Sequence, residues 1–233
     1  MQKVKPLKNM RLMYYFYKIL YILPYVGLAV FIVRIYIMKK APVPTPKGKK
    51  LTDELLSECV NQLTKELRVK FNEYTVDSSV MAELLNDNRN PDALRHLLND
   101  ICAHVGFNGD MFSLKIINAV VSDKAGEIRT GLGNTVITLE IREEYDTDTI
   151  ISILAHEVMH QLLYLKGISR RDAWENEILT DTAVVYTGFY TYMYRGYGIK
   201  HGVNPFAYSK VGYISQKDIN YIQDYIDRRR REH

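Results

Sequence analysis

Acidic residues are missing from the first fifty positions of this 233-residue chain, which hold nine Lys and two Arg. Positions 51–233 carry 20 basic against 27 acidic residues, so the net charge of +4 and the isoelectric point near 8.8 belong to the N-terminal segment. A nucleic-acid binder places its positive charge on the folded domain, and nucleic acid is therefore not an expected partner. Cysteine is scarce as well. Cys59 and Cys102 are the only two, and neither stands in a CxxC pair or beside another metal ligand. That excludes a disulfide-dense mini-protein, and the two read as half-buried free thiols, with a single disulfide left open. With 13 Gly, 7 Pro, 25% charged and 47% hydrophobic residues, the chain is neither collagen-like nor disordered. It has no internal repeat and no low-complexity tract. Its length suits one domain with an appendage.

What is present begins with an uncharged apolar stretch at residues 19–33, closed by Lys18 and Arg34. A bilayer core needs about 20 residues of helix. Snorkelling of Lys18 and Arg34 extends the span to residues 12–38, with Tyr14, Tyr15, Tyr17 and Tyr36 as interfacial belts. Pro24 is tolerated in a membrane helix. A cleaved signal peptide lacks its small-residue site, since Met38-Lys39-Lys40 follows instead. A buried core helix would have to hide both charges. The expectation is a retained single-pass anchor in residues 1–40, with the lipid bilayer as a partner. Five positive residues precede the span and six run from Arg34 to Lys50, which leaves the orientation undetermined. The prolines of APVPTPKGKK, residues 41–50, make a stiff linker, and a soluble domain is expected over 51–233.

In that domain, apolar periodicity predicts helices over 52–67 (Thr52 as N-cap), 80–85, 91–104 (opened by Pro91), 148–166, 174–194 and 215–230. Residues 112–122 and 135–141 read as strands, the second with Ile137, Leu139 and Ile141 facing inward. Turns are expected at 106–110 and 131–134. The expected fold class is α+β, a compact, helix-rich domain with a small sheet just before the helix over 148–166, plus the N-terminal transmembrane helix.

That helix contains His156-Glu157-Val158-Met159-His160, an H-E-x-x-H motif. At 3.6 residues per turn the two histidines share one face, where both imidazoles can reach one zinc ion and Glu157 can reach water held by it. A catalytic zinc needs a third protein ligand and an open fourth position. Glu177 follows His160 by 17 residues, room for the turn Gly167-Ile168-Ser169-Arg170-Arg171 and a returning helix. Asp181, four residues further on, shares the face of Glu177 and could orient His156.

The pairing of HEVMH with Asn176-Glu177-Ile178-Leu179-Thr180-Asp181 resembles the gluzincins, the thermolysin-like class of zinc metallopeptidases, and its compactness resembles the minigluzincins. The resemblance covers about residues 135–190. It implies a zincin-like fold, one Zn2+ per chain on His156, His160 and Glu177, Glu157 as general base, and Asp181 behind His156. It also implies protein or peptide substrates and a later His or Tyr for the oxyanion, for which His201, Tyr213 and Tyr221 are candidates. Lys166 stands where metzincins carry their third His, and the cysteine motif of peptide deformylase is absent. The strand over 135–141 is expected to be the edge strand along which such peptidases lay an extended substrate.

The remaining features read plainly. His96, His104 and His233 are surface or satisfied histidines. The run Tyr186, Phe189, Tyr190, Tyr192, Tyr194, Tyr197 is core and rim packing, with a membrane-facing surface or substrate wall as the sharper alternative. Arg228–Arg231 complements the dipole of the last helix. The leading functional reading is a membrane-anchored zinc endopeptidase. Its rival is a zinc-stabilised, catalytically weak regulatory or binding module on the same tether. A third reading makes the motif an accident in a helical, membrane-associated interaction protein.

Overall fold

The computed structural model describes residues 49–118, 125–130, 135–200, 208–210 and 212–232. The expected anchor and the turn at 131–134 lie outside the described residues. Among the described residues no helix is long and apolar enough to cross a membrane. Contacts divide the chain into Met1–Pro44 and Thr45–His233, and every described element belongs to the second unit.

Helix α1 (Asp53–Leu67) starts where the Thr52 hydroxyl accepts the Leu55 N–H at 3.3 Å, and it buries Leu56, Cys59, Val60, Leu63 and Leu67 on one stripe. Helix α2 (Ser78–Asn86) follows, and α3 (Pro91–His104) opens behind the Asn90 cap with its proline in the first turn, where no N–H is lost. Each fully buried Leu or Ile contributes about 1.5–3 kcal/mol. Cys59 and Cys102 are both free and buried, and burial pushes their thiols up to about 11 and about 12. That makes them inert packing residues.

Three strands come next: β1 (Phe112–Asn118), β2 (Gly126–Thr130) and β3 (Thr135–Ile141), in the order β1-β3-β2. Strand β3 is therefore central, parallel to β1 and antiparallel to β2. The expectation of an edge strand at 135–141 is overturned. Ile137, Leu139 and Ile141 do face inward, but this strand is hydrogen-bonded on both sides. Among the described residues the outer strands are β1 and β2, and the short polar sequence Gly-Glu-Ile-Arg-Thr of β2 carries no apolar alternation to mark it.

Helix α4 (Thr147–Lys166) is buried on nearly every side, enclosed by α3, β2, β3, α5 (Ala173–Val184) and α6 (Tyr190–Gly196). The single helix expected over 174–194 is broken. A π-helical turn, Val185–Phe189, separates α5 from α6, with Gly188 at φ 99°. The opened carbonyls find partners outside the helix: His104 Nε2–H donates to Thr187 O at 2.7 Å, and Tyr74 N–H to Gly188 O at 2.9 Å. A Cβ at Gly188 would overlap Asn72 O, so glycine is needed there for space as well as for its φ. A two-stranded hairpin, β4 (Gly198–Lys200) and β5 (Tyr208–Lys210), leads to α7 (Gln216–Arg231), which opens on a Ser215–Asp218 capping box. The domain is helix-rich α+β, with its small sheet placed before α4.

Candidate metal centre

Two local devices turn α4 back into α5. Gly167, at φ 66°, closes α4 with its N–H on Leu163 O and Tyr164 O, a left-handed cap that a side chain would strain. Asp172 then caps α5 through the Glu175 N–H, and the Asn176 side chain accepts the Arg170 N–H at 3.0 Å. The Asn of the NEILTD motif thus fastens the turn.

The returning helix pairs residue by residue with α4. Glu177 Oε2 lies 3.3 Å from His156 Nε2 and 3.4 Å from His160 Nε2, and the two rings stand nearly perpendicular at 4.6 Å between centroids. These three half-buried side chains each present a ligand atom within 4.8 Å of the others, a set that can hold a metal ion. The structure brings the three expected ligands together.

Behind them, Asp181 is wholly buried, and its Oδ1 accepts from His156 Nδ1 at 2.8 Å. A carboxylate only accepts, so His156 Nδ1 carries a proton towards Asp181, which leaves Nε2 as the ring atom that faces Glu177. Asp181 does more than the motif suggests. It also accepts the Tyr197 hydroxyl at 2.6 Å and the backbone N–H groups of Tyr213 and Ile214 at 2.8 and 3.2 Å. Thr180 Oγ1 lies 3.3 Å from His160 Nδ1 and donates to Asn176 O. Tyr197, Thr180 and the two backbone groups escaped the sequence reading. Thr180 alone had a local signal, its place within NEILTD.

Charge at the centre is tightly coupled. Burial works against the His156 cation, yet the hydrogen bonds to Asp181 and Glu177 outweigh it and hold the imidazole well above its ordinary value. For Glu177 burial acts upward, but the two histidines win and keep its carboxyl far below the usual range. Glu157 is buried beside them, and its carboxyl is raised chiefly by burial, with His156 and His160 pulling the other way.

Of the two oxyanion candidates among the described residues, Tyr213 is the one beside the centre, stacked on His156 at 6.5 Å with 21° between planes. Burial and the nearby carboxylates of Glu177, Asp181 and Glu157 raise its phenol, so it stays a proton donor. Tyr221 is corrected: its hydroxyl pairs with Ser57 Oγ at 2.7 Å and fastens α7 to α1, as a stripe position on a packed helix does. His201 and His233 lie outside the described residues. His96 is an exposed partner of Glu83, and His104 is satisfied by Thr187 O. Tyr186, Phe189, Tyr192 and Tyr197 are buried, in keeping with the packing reading.

No protein family, no curated protein and no solved structure matches this chain.

Proposed function

We propose that this chain is a zinc-dependent endopeptidase of gluzincin type, tethered to a membrane by its N-terminal segment. The observation that carries the reading is the placement of Glu177 Oε2 at 3.3 and 3.4 Å from the two Nε2 atoms. Ligands of a tetrahedral zinc with bonds of about 2.05 Å stand about 3.3 Å apart along each edge. Two imidazoles and one carboxylate are also the donor set of a catalytic site that leaves a fourth position open.

A zinc ion bound there supplies Lewis acidity and brings the pKa of its water to about 7. Asp181 keeps His156 in the ligating tautomer. The buried Glu157 carboxylate takes a proton from the attacking water and returns it to the departing amine. Its raised affinity for protons suits both halves of that transfer. Among the described residues Tyr213, whose ring stacks on His156, is the candidate to donate a hydrogen bond to the developing oxyanion. Strand β2 is the outer strand next to α4 among the described residues, and an outer strand is the kind of element to which an extended peptide can add.

The deciding experiment is zinc content measured together with cleavage of unfolded casein, with and without a chelator. One zinc per chain with chelator-sensitive cleavage supports the reading. Zinc without cleavage reduces the protein to a metal-stabilised binding module, and no zinc removes the metal centre altogether. The tether is tested separately, by whether the protein resists alkaline extraction from membranes.

A further inference from the structure

Tyr197 closes α6 with its N–H on Met193 O at 3.1 Å, and its side chain is buried. A buried tyrosine needs a partner for its hydroxyl. Tyr197 finds one in Asp181 Oδ1 at 2.6 Å, the same oxygen that accepts from His156 Nδ1. The Tyr197 ring has a further neighbour. A Cβ built on Gly212 would overlap its Cε2 and lie 2.9 Å from its hydroxyl oxygen, and Gly212 stands at φ 87°. The backbone at 212 therefore lies against that ring, a close approach in left-handed backbone that glycine alone makes without strain.

The next two residues are held by the other oxygen of the same carboxylate. Asp181 Oδ2 accepts the N–H groups of Tyr213 and Ile214 at 2.8 and 3.2 Å. The Ile214 side chain is wholly buried, just before the capping box that opens α7. Residues 212–214 are thus fixed in turn by a ring, a carboxylate and the core.

Tyr213 is the side chain that these contacts bring to the metal centre. Its ring lies nearly parallel to that of His156, 6.5 Å away, and among the described residues none is hydrogen-bonded to its hydroxyl. Its placement comes from its backbone and not from a partner at its tip. A donor to a developing oxyanion has to stand about 2.7–3.1 Å from the place where that charge forms. A backbone shift of about 1 Å is enough to withdraw it.

We propose that Tyr197 and Gly212 are positioning residues: the Tyr197 ring supports Gly212 so that Asp181 can hold the Tyr213 backbone and present the Tyr213 hydroxyl to the metal centre. The proposal rests on the peptidase reading. It gives Asp181 two tasks, orienting His156 from one oxygen and holding the Tyr213 backbone with the other.

The test uses the full chain with Gly212→Ala, Tyr213→Phe and the two combined. Amide hydrogen exchange in the metal-free protein reads the support directly. Gly212→Ala is expected to speed the amides of residues 213 and 214 about tenfold or more, the loss of a hydrogen bond to a charged group, and Tyr213→Phe is expected to leave them unchanged. On casein, Tyr213→Phe should lower kcat about 10²–10³-fold and Gly212→Ala about tenfold or more, each with one zinc per chain. The double variant should be no slower than Tyr213→Phe alone, because an absent donor cannot be misplaced; losses that multiply would show a separate, structural effect and overturn the proposal. Unchanged exchange in Gly212→Ala overturns it too, as does loss of zinc from that variant. Where Gly212→Ala does not fold, the volume-keeping Tyr197→Phe replaces it: faster exchange at 213 and 214, with no loss of kcat beyond that of Tyr213→Phe, is expected, and neither effect refutes the role of Tyr197. A full chain that binds zinc and does not cleave refutes the peptidase reading together with this proposal. One that cleaves equally well as Tyr213→Phe refutes this proposal alone.

Discussion

Gly126 of the edge strand β2 lies directly against Glu157 of α4: a Cβ built on Gly126 would stand 2.6 Å from Glu157 Oε1 and 2.9 Å from Ile153 Cγ2. If the proposed peptidase function holds, the contact couples the outer strand next to α4 with the carboxylate assigned to proton transfer. A side chain at position 126 would have to push the Glu157 carboxylate and the Ile153 methyl aside, a matter of space and not of an unusual φ.

Gly126→Ala is therefore expected to displace the Glu157 carboxylate while sparing His156, His160 and Glu177. Metal content should be unchanged, and kcat on casein should fall about 10- to 100-fold, the usual cost of a misplacement approaching 1 Å. Elemental analysis and steady-state kinetics on one preparation check both halves.

Glu157→Gln keeps the volume and removes the base. One metal per chain should remain, and cleavage should fall by about 10²–10⁴-fold. A purified variant that still cleaves at the original rate would reassign the proton transfer.

Removal of a ligand acts on metal and stability together. His160→Ala and Glu177→Ala are expected to lose stoichiometric metal, and a chelator should lower the melting temperature of the original protein but not of these variants. At about a hundredfold excess over Kd the ion contributes about 2.7 kcal/mol, which calorimetry can read.

Asp181 holds four donors at zero exposure. Asp181→Ala strands all of them and is expected to cost about 3–5 kcal/mol, as breaking a buried charge-assisted network does. The milder Asp181→Asn should fold and bind metal about 10- to 100-fold more weakly. Denaturant melts and a metal titration separate the two effects.

The direction of the His156 shift sets a pH dependence for the metal-free protein. Its proton is held more tightly folded than unfolded. That contribution is complete below the unfolded value of about 6.5 and is lost as pH rises through the raised folded value. Glu177, shifted the other way, loses its contribution only on acidification below about 4.3. Metal-free protein should thus be less stable in mildly alkaline buffer than near neutrality, whereas metal uptake, which displaces the His156 proton, should weaken as pH falls. A pH series of thermal melts, with and without metal, reads both slopes.

Much of the site was legible because its logic is local. The spacing of His156 and His160 needs only the helical repeat, and Asn176, Glu177 and Asp181 sit at fixed offsets on the helix that follows the turn at residues 167–171. Cap residues Thr52 and Pro91 marked the starts of α1 and α3 for the same reason. Tyr221 misled because a tyrosine on a helix stripe looks alike whether it faces a cleft or Ser57. Strand β2 was missed because five mostly polar residues with one Ile carry no period, and the break at Gly188 because an apolar run with one glycine reads as helix.

The sequence by itself determined that two imidazoles share a helix face, that a carboxylate adjoins them, and that a basic, apolar segment precedes an acidic domain. Each follows from rise per residue, charge or composition, which need no partner. Only the tertiary structure decided that Glu177 meets both histidines, that Asp181 binds Tyr197 and the backbone of residues 213 and 214, that β3 is the central strand of its sheet, and that Lys49 is fastened to Asp172 and Glu175. Those relations join residues far apart in the chain. They are set by which buried donors find which acceptors once the core closes, a choice that no local pattern carries.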